Sequence, residues 1–169
     1  YARTRDSHAR NPKASTLDPI ITGGGQEFGL RSGTENVPLV AGFAAAVEYI
    51  EKDKEKHAQR IAAMKKMMAQ GIKKIFPRAQ LNGGKEVLPN ILNLWIPGMP
   101  AEDLLIRLDL AGIAISAGSA CAARSFQPSH VLRAMGLSEA RAKESVRISL
   151  GRPTTTGEIQ QLLKVLRSL

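Results

Sequence analysis

The chain has one cysteine, Cys121, in the run Ser116-Ala117-Gly118-Ser119-Ala120-Cys121-Ala122-Ala123-Arg124. Small residues surround it, and Ser125 and Gln127 follow. A thiol in such a polar, small-residue stretch has two readings. It is a small buried hydrophobe, or a nucleophile whose thiolate a nearby cation stabilises. Arg124 is a candidate for that cation, and His130 is another candidate neighbour. With a single cysteine, an intramolecular disulfide and a cysteine-rich metal site are both excluded, and a reducing compartment is the natural expectation.

Arg147 lies in Val146-Arg147-Ile148, where strand alternation sets it opposite its two apolar neighbours. Such an arginine is either a surface residue or a rigid two-pronged donor for a substrate carboxylate. Arg152, in Gly151-Arg152-Pro153, is ambiguous in the same way. Ser32 and Thr34 flank Gly33 just before an expected helix. Hydroxyls and free N–H groups there either cap the helix or hold a phosphate. No Walker lysine motif accompanies them, which argues against a nucleoside-triphosphate site. His8, His57 and His130 are too scattered for a zinc motif, and His57, in a charged stretch, is expected to be solvated. No carboxylate pair stands out for hydrolytic work.

These groups need elements to position them. Residues 3–18 read as a polar loop, and Ile20-Ile21 as the end of a short strand. A glycine-rich loop runs from Thr22 to Thr34, its glycines allowing close backbone approach to a ligand. A helix is predicted to start near Glu35–Pro38, with Thr34 as a candidate cap and Pro38 in the first turn. Apolar residues recur at Val37, Val40, Ala41, Ala44, Val47 and Ile50, then at Ile61, Met64, Met68, Ile72 and Ile75. This predicts one long helix or two abutting ones, ending near Gly71 or shortly beyond, with a domain boundary near residues 50–60. Beyond it come a strand over Ile91–Ile96, a helix over Ala101–Leu110 and a short strand over Ile113–Ser116. A loop to Gln127 leads to a helix with Pro128 in its first turn and Val131, Leu132 and Met135 buried. Ser138 could cap another short helix, and Ser145–Leu150 reads as a strand. A final helix starts at a Thr155/Glu158 capping box and buries Ile159, Leu162, Leu163 and Leu166. The order predicts a small α/β or α+β layer.

Composition bounds the function. Apolar residues make up 43% of 169, enough for a core, but aromatics only 4%. The formal charge of +9 raises the question of nucleic acid, yet the basic residues are spread out, apart from Arg3 to Lys13 and Lys52 to Lys74. Aromatics do not interleave with them as a base-stacking platform requires, so a solvated basic surface is the expectation. No apolar run approaches the ~20 residues needed to span a bilayer. Because the first residue is Tyr1 and not Met, the chain is expected to be processed, cleaved or incomplete.

Several of these segments together resemble the cysteine desulfurases of the iron–sulfur-cluster type, within the class-V aminotransferases. They are Gly23-Gly24-Gly25-Gln26-Glu27, Gly29-Leu30-Arg31-Ser32-Gly33-Thr34, Asn36-Val37-Pro38, Leu88-Pro89-Asn90, Ser119-Ala120-Cys121, Pro128-Ser129-His130-Val131-Leu132 and Val146-Arg147-Ile148-Ser149-Leu150-Gly151-Arg152. Their order and spacing match over essentially the whole chain. The resemblance implies an aspartate-aminotransferase-like α/β fold of the pyridoxal-phosphate-dependent transferases, represented by its C-terminal portion. Residues 1–55 would be the end of the large cofactor domain and the start of the linking helix. Residues 56–169 would be the rest of that helix and a small C-terminal domain.

The same resemblance implies a homodimer that uses pyridoxal 5'-phosphate to convert L-cysteine to L-alanine, keeping the sulfur as a persulfide on Cys121. Its loop resembles that of the branch with a long mobile cysteine loop, which implies delivery to an iron–sulfur scaffold or another acceptor protein. Arg147 matches the arginine that binds the substrate carboxylate. Thr34 matches a residue that reaches the cofactor phosphate in the partner subunit. Phe28 stands where the family commonly has arginine, a departure that touches the loop surface or active-site edge. The family's Schiff-base lysine lies upstream of the position matching Tyr1, and neither Lys13 nor Lys85 occupies a matching segment. These residues by themselves are therefore expected to be inactive. A cytoplasmic or organellar location, without membrane or nucleic acid, fits this reading. Selenocysteine lyase, a non-catalytic binding or sulfur-carrier module, and a basic nucleic-acid-binding domain are the alternatives.

Overall fold

The computed structural model describes residues 18–84, 86–118 and 128–169. The chain divides into two compact units, Tyr1–Lys52 and Asp53–Leu169.

In the first unit the chain bends through residues 20–24, makes a 3-10 turn at Glu27–Gly29 and enters helix α1, Val37–Glu51. No strand forms at Ile20-Ile21, and both side chains are exposed. The cap of α1 is Asn36, whose Oδ1 accepts from the Leu39 N–H at 3.2 Å, and not Thr34. Pro38 falls in the first turn, where its missing N–H has no helical partner to lose. No residue of α1 is buried within this chain, in spite of its apolar period.

The second unit starts with α2, Lys54–Ile75, so the long helical stretch is two helices separated at Lys52-Asp53. Its buried residues Ile61, Met64, Met68 and Ile72 recur at helical spacing. The strands are β1 (Gln80–Leu81), β2 (Ile91–Trp95), β3 (Ser116–Ala117) and β4 (Ser145–Ser149). They form one antiparallel sheet of order β1-β2-β4-β3. Helix α3 is Ala101–Leu110, as the periodicity predicts, and Gly112 follows it at φ +76°. The short helices α4 (His130–Ala134) and α5 (Glu139–Lys143) are capped by Ser129 and Ser138. Helix α6, Thr156–Arg167, carries the expected capping box.

Alternation decides which sheet face meets the helices. Leu92 and Leu94 of β2 and Val146 and Ile148 of β4 share one core cluster with Met68 and Ile72 of α2, Leu104 and Leu108 of α3, and Ile159, Leu162 and Leu166 of α6. Met68, Ile72, Leu92, Leu108 and Val146 are the largest apolar side chains fully buried there, each contributing about 1.5–3 kcal/mol by burial. Helices α2 and α6 approach closely at Gly71, where an added Cβ would lie 2.4 Å from Leu163 Cδ1.

Three further expectations need correction. Pro128 precedes the Ser129 cap and lies outside α4. Of the three residues expected to be buried there, only Leu132 is, while Val131 and Met135 are about half exposed. A five-residue helix has little more than one turn, so it buries a single position. The strand expected over Ile113–Ser116 contracts to Ser116–Ala117 because Ile113 follows directly on the α3 C-terminus, its N–H bonded to Leu108 O.

Candidate functional site

The face of the sheet turned away from the core carries the polar residues. Arg147 of β4 is in register with Asn93 of β2 on one side and Ser116 of β3 on the other. Directly opposed residues of antiparallel strands project to the same face, with Cβ atoms roughly 4.5–5.5 Å apart. Asn93, Arg147 and Ser116 therefore form a row across three strands, each partly exposed. The Arg147 guanidinium makes no hydrogen bond or ion pair with the described residues. Its fork of donors stands on a partly exposed strand position, and such a fork suits a carboxylate.

A polar network supports the adjacent part of this face. Asn82, buried just after β1, donates from Nδ2 to Asn93 Oδ1 at 2.8 Å and to Ser145 Oγ at 2.9 Å. Its Oδ1 accepts from Arg141 Nε at 2.8 Å. Arg141 stacks over the Trp95 ring at 4.5 Å, and Trp95 Nε1 donates to Glu144 at 2.8 Å. Ser145 Oγ donates back to Arg141 O at 2.6 Å. Beyond β4, Arg60 of α2 clamps the turn that contains Arg152, donating to Arg152 O at 2.6 Å and Thr154 O at 2.8 Å. The bonds from a guanidinium are charge-assisted, so they fix the geometry more firmly than neutral ones.

In the first unit the glycine-rich loop closes on itself. Ser32, 6% exposed, donates its N–H to Ile21 O and accepts from the Gly25 N–H at Oγ. Gly33 donates its N–H to Gln26 Oε1 at 3.0 Å and sits at φ +107°, where a side chain would be strained. Glu27 and Phe28 also have positive φ, 49° and 60°, and the Phe28 side chain is 98% exposed. Asn36 caps α1, and the exposed Thr34 hydroxyl makes no hydrogen bond with the described residues. A free neutral hydroxyl beside a tightly shaped glycine turn is a donor set that fits a phosphate group.

Of the residues singled out by sequence, Arg147 and Thr34 are thus placed, one in each unit. Cys121 and Arg124 lie outside the described residues, as do His8, Lys13 and Lys85. The segment bearing Cys121 continues directly from β3, the strand beside Arg147. His130 is the exposed first residue of α4. His57 is half-buried with its Nδ1 shielded and unpaired, where solvation was expected, because it shares the inner side of α2 with Ile61 and Met64. Sequence reasoning missed Asn82, Asn93 and Arg60. Asn93 did leave a signal, a lone amide inside the apolar run Ile91–Trp95. Asn82 and Arg60 left none, because their partners are distant in sequence. Among the described residues, no group of His, Cys, Asp and Glu could hold a metal ion, and no helix is long and apolar enough to cross a membrane.

Comparison with known proteins gives this arrangement a lineage. The family model for aminotransferase class-V matches residues 17–162. The chain belongs to that family. It is 42% identical over 151 residues to the cysteine desulfurase IscS 1 of Archaeoglobus fulgidus, covering 89% of this chain and 39% of that protein. It is 39% identical over 160 residues to a mitochondrial cysteine desulfurase of Candida albicans, covering 93% and 32% respectively. Among solved structures it is similar to the NifS-like protein of Rickettsia africae, with a TM-score of 0.76 and 34% identity over 89% of this chain and 39% of that one. It is also similar to SspA in complex with cysteine, with a TM-score of 0.55 and 36% identity over 83% and 38%. The fold is the aminotransferase-like α/β type shared by these neighbours. The chain spans about two-fifths of the length of the first two curated relatives it resembles, 39% and 40%.

Proposed function

We propose that these residues belong to a pyridoxal-phosphate-dependent cysteine desulfurase that converts L-cysteine to L-alanine and keeps the sulfur as a persulfide on Cys121. The observation that carries this reading is the Arg147 guanidinium on the sheet face, without a partner among the described residues and one strand from the start of the cysteine-bearing segment. Chain length limits Cys121 to within about 18 Å of Ser116, five residues before it. A tether of that length is compatible with a thiol that meets an amino acid held by Arg147. The two-unit division supports reading the first unit as the end of a large cofactor domain and the second as a small C-terminal domain.

Arg147 would hold the substrate carboxylate through parallel N–H donors, which fixes the side chain's direction. Thr34 would donate its hydroxyl to the cofactor phosphate of a partner subunit in a homodimer. When bound, pyridoxal phosphate supplies the electron sink for charge at the substrate carbon. Cys121 would act as thiolate on the substrate sulfur. A sulfur–sulfur bond forms and the substrate carbon–sulfur bond breaks. The electron pair stays with the carbon, which takes up a proton and leaves as alanine. The persulfide then passes to an iron–sulfur scaffold or another acceptor protein.

The test is persulfide formation by the complete cofactor-loaded enzyme. Cys121→Ser should abolish it while cofactor content is retained, and persulfide transfer persisting in that variant would refute the assignment. Arg147→Ala should raise the KM for L-cysteine by about tenfold or more, the loss expected for a hydrogen bond to a charged group, with cofactor retention unchanged.

A further inference from the structure

The network beneath the sheet face fixes which way one amide is turned. An arginine only donates hydrogen bonds. Arg141 Nε meets Asn82 at 2.8 Å, so Asn82 must present its oxygen there. The Asn82 NH2 group is then the one that reaches Asn93, which must present its own oxygen in return. Ser145 agrees with this assignment. It accepts from the second Asn82 N–H and spends its own proton on Arg141 O. The orientation of Asn93 therefore follows from the chain of donors beginning at Arg141, itself anchored over Trp95.

The consequence lies at the other end of the Asn93 amide. Its Nδ2 carries two N–H donors, and neither has an acceptor among the described residues. Asn93 is the cross-strand partner of Arg147 on the sheet face turned from the core, and the guanidinium likewise has no partner among the described residues. Two donor-bearing residues, one charged and one neutral, are thus opposed on adjacent strands, with no acceptor for these groups among the described residues. A guanidinium and an amide N–H on opposed positions of neighbouring strands are donors of the kind that can share one carboxylate. Asn93 is partly exposed, so water can meet these donors until a ligand takes its place.

We propose that Asn93 is a second binding residue for the carboxylate of the amino-acid substrate, donating from Nδ2 beside Arg147, and that Asn82 is the positioning residue that holds this amide in its donating orientation. The inference rests on the desulfurase reading and adds to it the residue that shares the carboxylate with Arg147. It also gives the buried Asn82 network a function beyond packing, since reversal of the Asn93 amide would turn an acceptor oxygen toward the carboxylate.

The complete cofactor-loaded enzyme provides the test, with L-cysteine compared against cysteamine, which has the thiol and amine but no carboxylate. Asn93→Asp keeps the oxygen that Asn82 needs but removes the donor. It should raise the KM for L-cysteine about tenfold or more, with kcat changed far less, while cysteamine binding and the melting temperature stay near wild type. Asn93→Ser should shift KM in the same direction, which guards against a folding defect peculiar to the aspartate. Asn82→Asp, which still accepts from Arg141 but cannot donate to Asn93, should give a smaller rise in KM. Wild-type KM in both Asn93 variants, equal losses for L-cysteine and cysteamine, or unfolding of both variants would each overturn the inference. If the wild-type enzyme itself neither binds nor turns over L-cysteine, the desulfurase reading falls first and the inference with it.

Discussion

Helices α1 and α2 carry similar apolar periods, yet they have opposite fates. α2 buries Ile61, Met64, Met68 and Ile72 against the sheet and α6. α1 buries nothing in this chain, and Val37, Leu39, Val40 and Phe43 are all about two-thirds exposed or more. Periodicity reports which side of a helix is apolar, not whether anything covers it. The second unit holds together through its own core. The first is held locally, by the Ser32, Gln26 and Asn36 hydrogen bonds.

Measurements on the stability of the second unit sharpen that contrast. Trp95 is the chain's single tryptophan and lies in β2, so its fluorescence during urea unfolding reports on that unit. The largest effect is expected from Ile72→Ala or Leu92→Ala, which should cost about 2–5 kcal/mol through lost burial and a residual cavity. Arg60→Ala comes next. It leaves two carbonyls without their guanidinium and should cost about 1.5–3 kcal/mol, with Arg60→Lys recovering only part because an ammonium lacks the fork.

A smaller effect belongs to the α6 cap, where Thr155→Ala should cost about 1 kcal/mol. The Glu158 carboxyl in that box is held below its ordinary range, first by the Thr155 backbone N–H and then by the Thr155 hydroxyl. A carboxyl lowered by folding contributes stability that is complete above its unfolded value and is lost as pH falls through its folded one. The capping contribution should therefore be intact at neutral pH and fade on acidification below the ordinary carboxylate range. Acid titrations of Glu158→Gln should lack that component.

The smallest effect is expected from Val40→Ser and Phe43→Ser on α1, which should move the Trp95 transition by no more than about 0.5 kcal/mol. A shift as large as that of Ile72→Ala would break the comparison, because it would mean that α1 is covered by the core that Trp95 reports.

The legibility of the sequence followed the range of the interactions involved. Helix α3, the Ser138 cap, the Thr155/Glu158 box and the core strand Ser145–Ser149 rest on periods and contacts of a few residues, and they read directly. The α1 cap was misassigned because Thr34 and Asn36 are both good capping residues, and only the backbone path chooses Asn36. Strand β1 stayed hidden because two residues carry no alternation. The burial of His57 and the exposure of Val131 and Met135 likewise depended on neighbours that a local pattern does not name.

By itself the sequence determined the types of the longer elements, the apolar sides of the helices, the placement of Arg147 opposite its apolar neighbours, and membership of a family through motifs spread along the chain. Tertiary structure alone decided that Asn93, Arg147 and Ser116 share one row and that Arg141, acting through Asn82, orients the amide beside the arginine. The physical reason is separation along the chain. A pattern of period 2 or 3.6 is set by each residue's immediate neighbours. The Asn82–Ser145 bond joins residues 63 apart and the Arg60 clamp residues 92 and 94 apart, and such contacts exist only once the sheet order is set.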